Sequence, residues 1–321
     1  MVKMKNATFR QLQVFESIAR NRSFTAAAEE LFLTQPTISV QMKKLSDIVG
    51  MPLYEVMGKK VFITEIGQQL LKTCYGVFSE LDNFEMSVAN ARGIKEGTLK
   101  VSGVTTVEYF GPRIIGDFCR KYPGVKVSLQ VKNRQHVIER IRNNTDDIYI
   151  CGPIPADLDV EETLFLENPL VILASPSHPL VGKKNIPLEE LVTEQFLSRE
   201  EGCGTYLALE KAVGEKGIHF HSSMALGSNE AIKQGVISGL GISMLSLYAL
   251  SHELETKQLA ILDVEGFPFY DQWYIAYPKG KKLSIVAKAF YDYILDEGRK
   301  LTLAHLYEPP GSKFDYSLSV S

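Results

Sequence analysis

A chain of 321 residues has room for two or three domains with proper cores, and 45% apolar with 23% charged residues is the balance of a soluble globular protein. No run approaches the ~18 consecutive apolar residues of a membrane span. The four cysteines (Cys74, Cys119, Cys151, Cys203) form no CxxC pair and have no histidine at metal spacing, which argues against a disulfide scaffold or a structural zinc. The net charge of −3 is unevenly spread: residues 1–65 hold nine Lys and Arg against six Asp and Glu, so a head of +3 precedes a body of −6. That asymmetry fits nucleic-acid contact confined to one end.

Thr8 to Arg20 reads as a first helix, with Leu12, Phe15, Ile18 and Ala19 on one face. It follows the N-terminus without a signal-peptide apolar block, which predicts a cytoplasmic chain. Residues 23–50 carry two helical patterns separated by Phe32-Leu33-Thr34-Gln35. The first places Ala27, Ala28 and Leu31 on one face, where small residues allow a neighbouring helix close. The second opens with Thr34 as N-cap and Pro36 in the first turn, where a missing N–H does no harm. Ile38, Met42, Leu45 and Val49 then recur at spacings of 4, 3 and 4, one buried stripe. The opposite face offers Pro36, Ser39, Val40, Lys43 and Lys44, with Thr37 at its edge. Hydroxyls of Thr34, Thr37 and Ser39, the Gln35 amide and the small apolar surfaces of Pro36 and Val40 suit base edges in a major groove, while Lys43 suits phosphates. Spacing alone fits an ordinary αα-hairpin equally well.

Gly50 ends the periodicity. Pro52-Leu53-Tyr54 starts a strand, Glu55 to Lys60 is a polar turn, and Val61-Phe62-Ile63 returns, which predicts a hairpin wing with Lys59 and Lys60 near its tip. Thr64 to Gly67 opens a long helix with no proline before Pro112. Leu70, Cys74, Val77, Leu81, Phe84 and Val88 alternate at spacings of 4 and 3 along it, a heptad seam whose expected partner is the same helix of a second chain. An intrachain core helix also satisfies that pattern.

Past Gly97 the pattern becomes strand and helix in alternation, with strands at Leu99–Val104, Val125–Val131 and Ile148–Ile150 and helices at Tyr109–Lys121 and Gln135–Arg142. This predicts an α/β body with mostly parallel strands. A second lobe contains Leu170–Ala174 and helices at Thr205–Val213 and Asn229–Gly239. The strand Gln272–Tyr277 and the helix Leu283–Gly298 return to the first lobe. Two α/β lobes joined by two crossings make a clamshell like the periplasmic binding proteins, with a ligand expected between the facing strand ends. The expected division is a winged helix-turn-helix domain at 1–65, a linker and dimerisation helix at 66–94, a two-lobed effector domain at 95–301 (lobe 1 about 95–161 and 267–301, lobe 2 about 162–266) and a mobile tail at 302–321.

Candidate ligand groups sit where strands turn into helices. Thr105 and Thr106 present hydroxyls and backbone N–H groups after the first strand of the body. Asn133 and Arg134 end the next strand, where an arginine can grip a carboxylate or phosphate. In the second lobe Ser198, Arg199 and Thr205 flank a turn with two glycines, and Ser228 and Asn229 open a further helix. No nucleophile elbow, P-loop, zinc pattern or complete dinucleotide fingerprint appears, so neither catalysis nor a bound cofactor or metal is expected.

Phe24-Thr25 with Ala27-Ala28, then Leu33-Thr34-Gln35-Pro36, Ser39 and Gln41, then Gly50-Met51-Pro52-Leu53-Tyr54, closely resemble the LysR-type transcriptional regulators from about Phe9 to Gly67. The resemblance implies a winged helix-turn-helix head, a linker helix, a periplasmic-binding-protein-like effector domain, and a homodimer that often pairs into a homotetramer. It also implies an effector at Thr105 and Thr106. The family's wing usually carries several arginines; here one such position is Val56 and the others are Lys59 and Lys60, which favours backbone contact over base reading. Arg199-Glu200 to Thr205 resembles the family's Arg-Glu-x-Gly-Ser-Gly-Thr turn, with Cys203 at the usual serine.

Tyr54 to Thr64, Val131-Lys132-Asn133-Arg134, Asp146 to Ile150 and Phe165 to Leu170 further resemble the subgroup that regulates Calvin-cycle (RuBisCO) operons. That subgroup responds to phosphorylated sugar metabolites or to reduced nicotinamide nucleotides. The implied partners are promoter DNA, a small anionic effector such as a sugar phosphate or NADPH, further copies of the chain and, as a candidate, RNA polymerase. A LysR-type regulator of sulfur or nitrogen assimilation or of aromatic catabolism is the alternative within the family. A clamshell solute-binding protein would lack the helical head and would carry a signal peptide.

Overall fold

The computed structural model describes residues 4–57, 60–91, 96–214, 217–218, 220 and 222–307. Backbone contacts divide the chain into two compact units, the first chiefly Met1–Glu85 and the second Met86–Ile141 with Asp146–Ser321.

In the first unit α1 (Phe9–Asn21) begins with a reciprocal cap: Gln11 N donates to Thr8 Oγ1 at 3.2 Å, and Thr8 N donates to Gln11 Oε1 at 2.8 Å. Ser23 caps α2 (Phe24–Glu30) and Thr34 caps α3 (Gln35–Val49). Gly50 closes α3 in the left-handed region at φ 75°, which a side chain would disfavour. Val14, Phe15 and Ile18 of α1 meet Ala27 and Ala28 of α2 and Ile38, Met42 and Leu45 of α3 in one core. The small pair on α2 lets the helices pack closely, as the sequence predicts. Strands β1 (Tyr54–Met57) and β2 (Lys60–Ile63) form the antiparallel wing, with Met57 opposite Lys60.

Helix α4 (Glu65–Ala91) starts against that hairpin, and a side chain at Gly67 would strike the Leu53 carbonyl. The predicted heptad seam needs correction at its N-terminal end. Leu70 and Cys74 are buried in the head's own core, so they are not available to a second chain. Burial pushes the Cys74 thiol up to about 12, an inert core group. Val77, Leu81 and Phe84 remain exposed, while the side chain of Val88 lies outside the described residues.

The second unit opens with β3 (Glu96–Val104), a tight turn of helix at Thr105–Tyr109, then α5 (Gly111–Lys121), β4 (Gly124–Lys132), α6 (Arg134–Arg142) and β5 (Ile148–Cys151). The predicted helix from Tyr109 therefore starts at Gly111. All four residues of β5 are buried, as a strand covered on both faces requires. Next come β6 (Val160–Ala174), β7 (Phe196–Arg199), α7 (Gly204–Gly214), β8 (Ser222–Leu226), α8 (Asn229–Ile237) and β9 (Ile242–Ser246). The unit finishes with α9 (Ser251–Glu255), β10 (Ala260–Ile261), β11 (Phe269–Pro278), α10 (Ile285–Tyr293) and α11 (Arg299–Leu303).

The nine strands make one sheet ordered β4-β3-β5-β11-β6-β9-β7-β8, with β10 paired to β6. Each lobe is parallel within itself, at β4-β3-β5 and at β9-β7-β8. The two long strands β6 and β11 run antiparallel through both lobes and are the crossings. The sheet is thus mixed where mostly parallel strands are predicted, because both crossings are strands of the sheet itself. Residues 302–307 also differ from the expected loose tail: Thr302 and Leu306 are buried, Leu306 in the body's main core. Residues 308–321 lie outside the described residues.

Candidate DNA-contact face and effector cleft

On α3 the stripe Ile38, Met42 and Leu45 is buried, which turns Thr34, Gln35, Pro36, Thr37, Ser39, Val40, Lys43 and Lys44 outward, all exposed. Thr34 Oγ1 accepts from Thr37 N at 3.4 Å and lies 2.9 Å from Thr37 Oγ1, so the first turn is held by its own hydroxyls. Arg10 of α1 ties the turn before it by donating to the Leu31 carbonyl at 3.1 Å. Behind α2, Glu30 accepts from Arg20, Ser17 and Asn21. Burial opposes its charge, but those donors hold its carboxyl below the ordinary value. Lys60 is exposed at the wing, and Lys59 lies outside the described residues.

The body holds a cavity of about 240 Å³ between its lobes. Four of the predicted ligand residues line it: Thr105, Thr106, Arg134 and Thr205. Thr106 is buried, and Arg134 is braced by donating from Nη2 to the Pro153 carbonyl at 2.9 Å. From the second lobe α7 contributes Gly204, Thr205, Ala208 and Lys211. The floor is a cross-strand pair on the crossings: Asn168 of β6 stands opposite Asp271 of β11, with Trp273 two residues on along the same face. Asn168 is fixed by Ser246 Oγ, which donates to its Oδ1 at 2.6 Å. Burial pushes the Asp271 carboxyl up, partly offset by Lys211 and Arg134. Two cations and one carboxylate make the cleft net positive.

The other predicted residues serve the scaffold. Asn133 caps α6, its Oδ1 accepting from His136 N at 3.1 Å, and Ser228 caps α8 by accepting from Ala231 N at 3.1 Å. Ser198 is buried in β7. Arg199 is 3% exposed, donates to Glu200 Oε2 at 2.8 Å and bonds Asn229 Oδ1, which ties β7 to α8 and keeps both residues out of the cavity lining. The expected reach of Arg199 into the cleft fails because neighbouring acceptors already take its guanidinium. Lys211, Asn168, Asp271 and Trp273 were not singled out from the sequence. A signal existed for Lys211, which follows Gly204 and Ala208 at helical spacing.

An exposed polar helix face on one unit and a cleft with two cations on the other suit a ligand-responsive DNA-binding regulator. The chain belongs to the LysR family of transcriptional regulators: residues 9–68 match the lysR-family bacterial regulatory helix-turn-helix protein, and residues 92–299 match the LysR substrate binding domain. It is 49% identical over 304 residues to the HTH-type transcriptional activator CmpR of a Synechocystis species, covering 95% of this chain and 100% of that protein. It is 42% identical to the RuBisCO operon transcriptional regulator of Acidithiobacillus ferrooxidans, over 91% of this chain and 94% of that one. Among solved structures, the regulatory domain of Synechocystis PCC6803 CcmR in complex with 2-PG aligns with a TM-score of 0.60 at 41% identity, over 65% of this chain and 98% of that one. The predicted fold class and the predicted subgroup resemblance both hold.

Proposed function

We propose that this protein controls transcription of carbon-fixation genes and that a small anionic metabolite, of the kind 2-PG represents, is its effector. The observation that carries the effector reading is the convergence of Arg134 from the first lobe and Lys211 from the second on one cavity. An anion held by both cations bonds the lobes to each other, so it binds the closed arrangement more tightly than the open one and shifts the population. The cavity, at about 240 Å³, is below the ~300–1,000 Å³ of drug-sized sites. That size favours a compact phosphate or carboxylate over a dinucleotide such as NADPH. Relatives named for a RuBisCO operon and a 2-PG-bound neighbour support the pathway.

On the DNA side, α3 enters the major groove with Thr34 to Val40 at base edges and Lys43 beside the backbone, while Lys60 of the wing meets phosphates. The exposed apolar positions Val77, Leu81 and Phe84 of α4 pair with a second chain, giving a homodimer whose two recognition helices read successive half-sites, and two dimers make a tetramer. Effector binding then alters the DNA contact, and with it access for RNA polymerase.

Calorimetric titration of the full-length protein with 2-PG tests the effector reading. Saturable binding is expected, weakened roughly tenfold or more by Arg134→Ala and by Lys211→Ala, since each removes a charge-assisted bond. Binding untouched by both substitutions contradicts the cleft assignment. No binding at all returns the pathway to another branch of the family.

A further inference from the structure

The floor of the effector cleft sets a donor and an acceptor side by side without joining them. Asn168 of β6 stands directly opposite Asp271 of β11, and both line the cavity. Asn168 is 6% exposed, and Ser246 Oγ fixes its amide by donating to Oδ1 at 2.6 Å. Among the described residues the Asn168 Nδ2 has no acceptor, and the Asp271 carboxylate accepts only from the Gln272 backbone N–H. A side chain at Gly152, also on the cavity wall, would come within 3.7 Å of Asp271 Oδ2, so glycine keeps the approach to that oxygen open. The sealed, unpartnered side-chain atoms of the described residues are Asn229 Nδ2 and Glu253 Oε2. Asn168 Nδ2 and the Asp271 oxygens are not sealed, and the cavity is where they open.

Side chains directly opposite on antiparallel strands stand ~4.5–5.5 Å apart at Cβ, so one ligand oxygen can lie within hydrogen-bond distance of both. An amide N–H can only donate and a carboxylate can only accept. The ligand group that answers both at one atom is a hydroxyl, which takes the Asn168 proton and gives its own to Asp271. A phosphate or carboxylate oxygen takes the amide proton but offers none to Asp271, and an ammonium offers a proton but accepts none. Arg134 and Lys211 reach the same cavity from opposite lobes and form no contact ion pair among the described residues, so the anionic ends of a ligand go to them. The Asp271 carboxylate then faces an anion, which is unfavourable unless the ligand also brings a donor.

We propose that Asn168 and Asp271 together read a hydroxyl group, and that they make the cleft selective for a short anion carrying a hydroxyl between its charged ends over the same anion without it. The inference rests on the effector reading above and adds the pair of residues that chooses among compact phosphates. Arg134 and Lys211 supply the attraction for any small anion. The pair on the floor supplies the discrimination, because an analogue lacking the hydroxyl leaves both polar groups without a partner.

The test is calorimetric titration of the full-length protein with D-3-phosphoglycerate and with 3-phosphooxypropanoate, the same skeleton without the hydroxyl, beside 2-PG. The hydroxylated compound is expected to bind roughly tenfold or more tightly than its deoxy analogue, as a hydrogen bond to a charged group is worth. This comparison uses the wild-type protein and needs no variant to fold. Asp271→Ala should weaken D-3-phosphoglycerate, leave the deoxy compound bound at least as well as before, and so bring the two affinities together. A substitution that merely loosened the cleft would weaken both alike, as Arg134→Ala should do while preserving their ratio. Equal affinities in the wild-type protein, or a hydroxyl preference that survives Asp271→Ala, overturn the inference and leave the effector reading standing. So does binding of 2-PG without either three-carbon compound. Binding of none of the three overturns the inference and the effector reading together.

Discussion

The two units present ligands with surfaces of opposite construction. In the head, the exposed groups from Thr34 to Lys43 that we propose meet DNA lie on one helix and its cap, and a buried stripe on the same helix fixes their direction. In the body, Thr105, Arg134, Asn168, Lys211 and Asp271 come from five separate elements and meet only because β6 and β11 carry one sheet through both lobes. A surface on one helix depends on that helix being seated. A cleft between lobes depends on how the lobes stand, which is the property a ligand can change.

Substitutions can break that comparison. Met42, fully buried on α3, should be the most sensitive position: Met42→Ala is expected to destabilise the head by ~2–5 kcal/mol. Thermal melting should show the loss, DNA binding should fall with it, and 2-PG binding by the body should persist. Simultaneous loss of both activities would mean that the units do not fold independently. At the surface of the same helix, Lys43→Ala should weaken binding to the cognate site and to random DNA alike, as the loss of a phosphate contact does. A binding assay in which only the cognate site suffers would reassign the lysine to a base.

Asp271 sharpens the cleft side. Burial raises its carboxyl pKa, so the fold holds this proton more tightly than the unfolded chain does. Its contribution to stability is therefore present at low pH and lost as pH rises through the folded value. A bound anion favours the neutral carboxyl too, so 2-PG affinity should strengthen as pH falls through that value. Asp271→Asn should flatten the dependence that remains after the ligand's own titration is subtracted. An unchanged profile would remove Asp271 from the ligand's neighbourhood. The smallest effect belongs to the wing: Lys60→Ala should weaken binding to every sequence alike and reduce the salt slope by about 0.9. A slope identical to wild type takes Lys60 off the DNA.

Legibility in the sequence followed the same divide. Period and caps marked α3 because Ile38, Met42 and Leu45 sit three and four residues apart and Thr34 and Gly50 bound them. The strand-to-helix turns yielded Thr105, Thr106, Arg134 and Thr205, since hydroxyls and cations at such turns are local features. Asn168 and Asp271 had no local mark: they become neighbours only through the pairing of β6 with β11, a hundred residues apart in the chain. Arg199 was misread for the converse reason. Its turn looks like a ligand turn, but Glu200 and a distant Asn229 occupy its guanidinium. The seam of α4 likewise read as one stripe, although its first two members belong to the head's core.

The measurement that bears most directly on the account is footprinting of the full-length protein on the DNA upstream of the carbon-fixation genes it is proposed to control, with and without 2-PG. The account predicts a long, two-part protected site whose extent shifts when 2-PG is added and does not shift in Arg134→Ala. Protection that is the same with and without 2-PG, in a protein shown to bind 2-PG, would contradict the claim that the cleft governs the DNA contact.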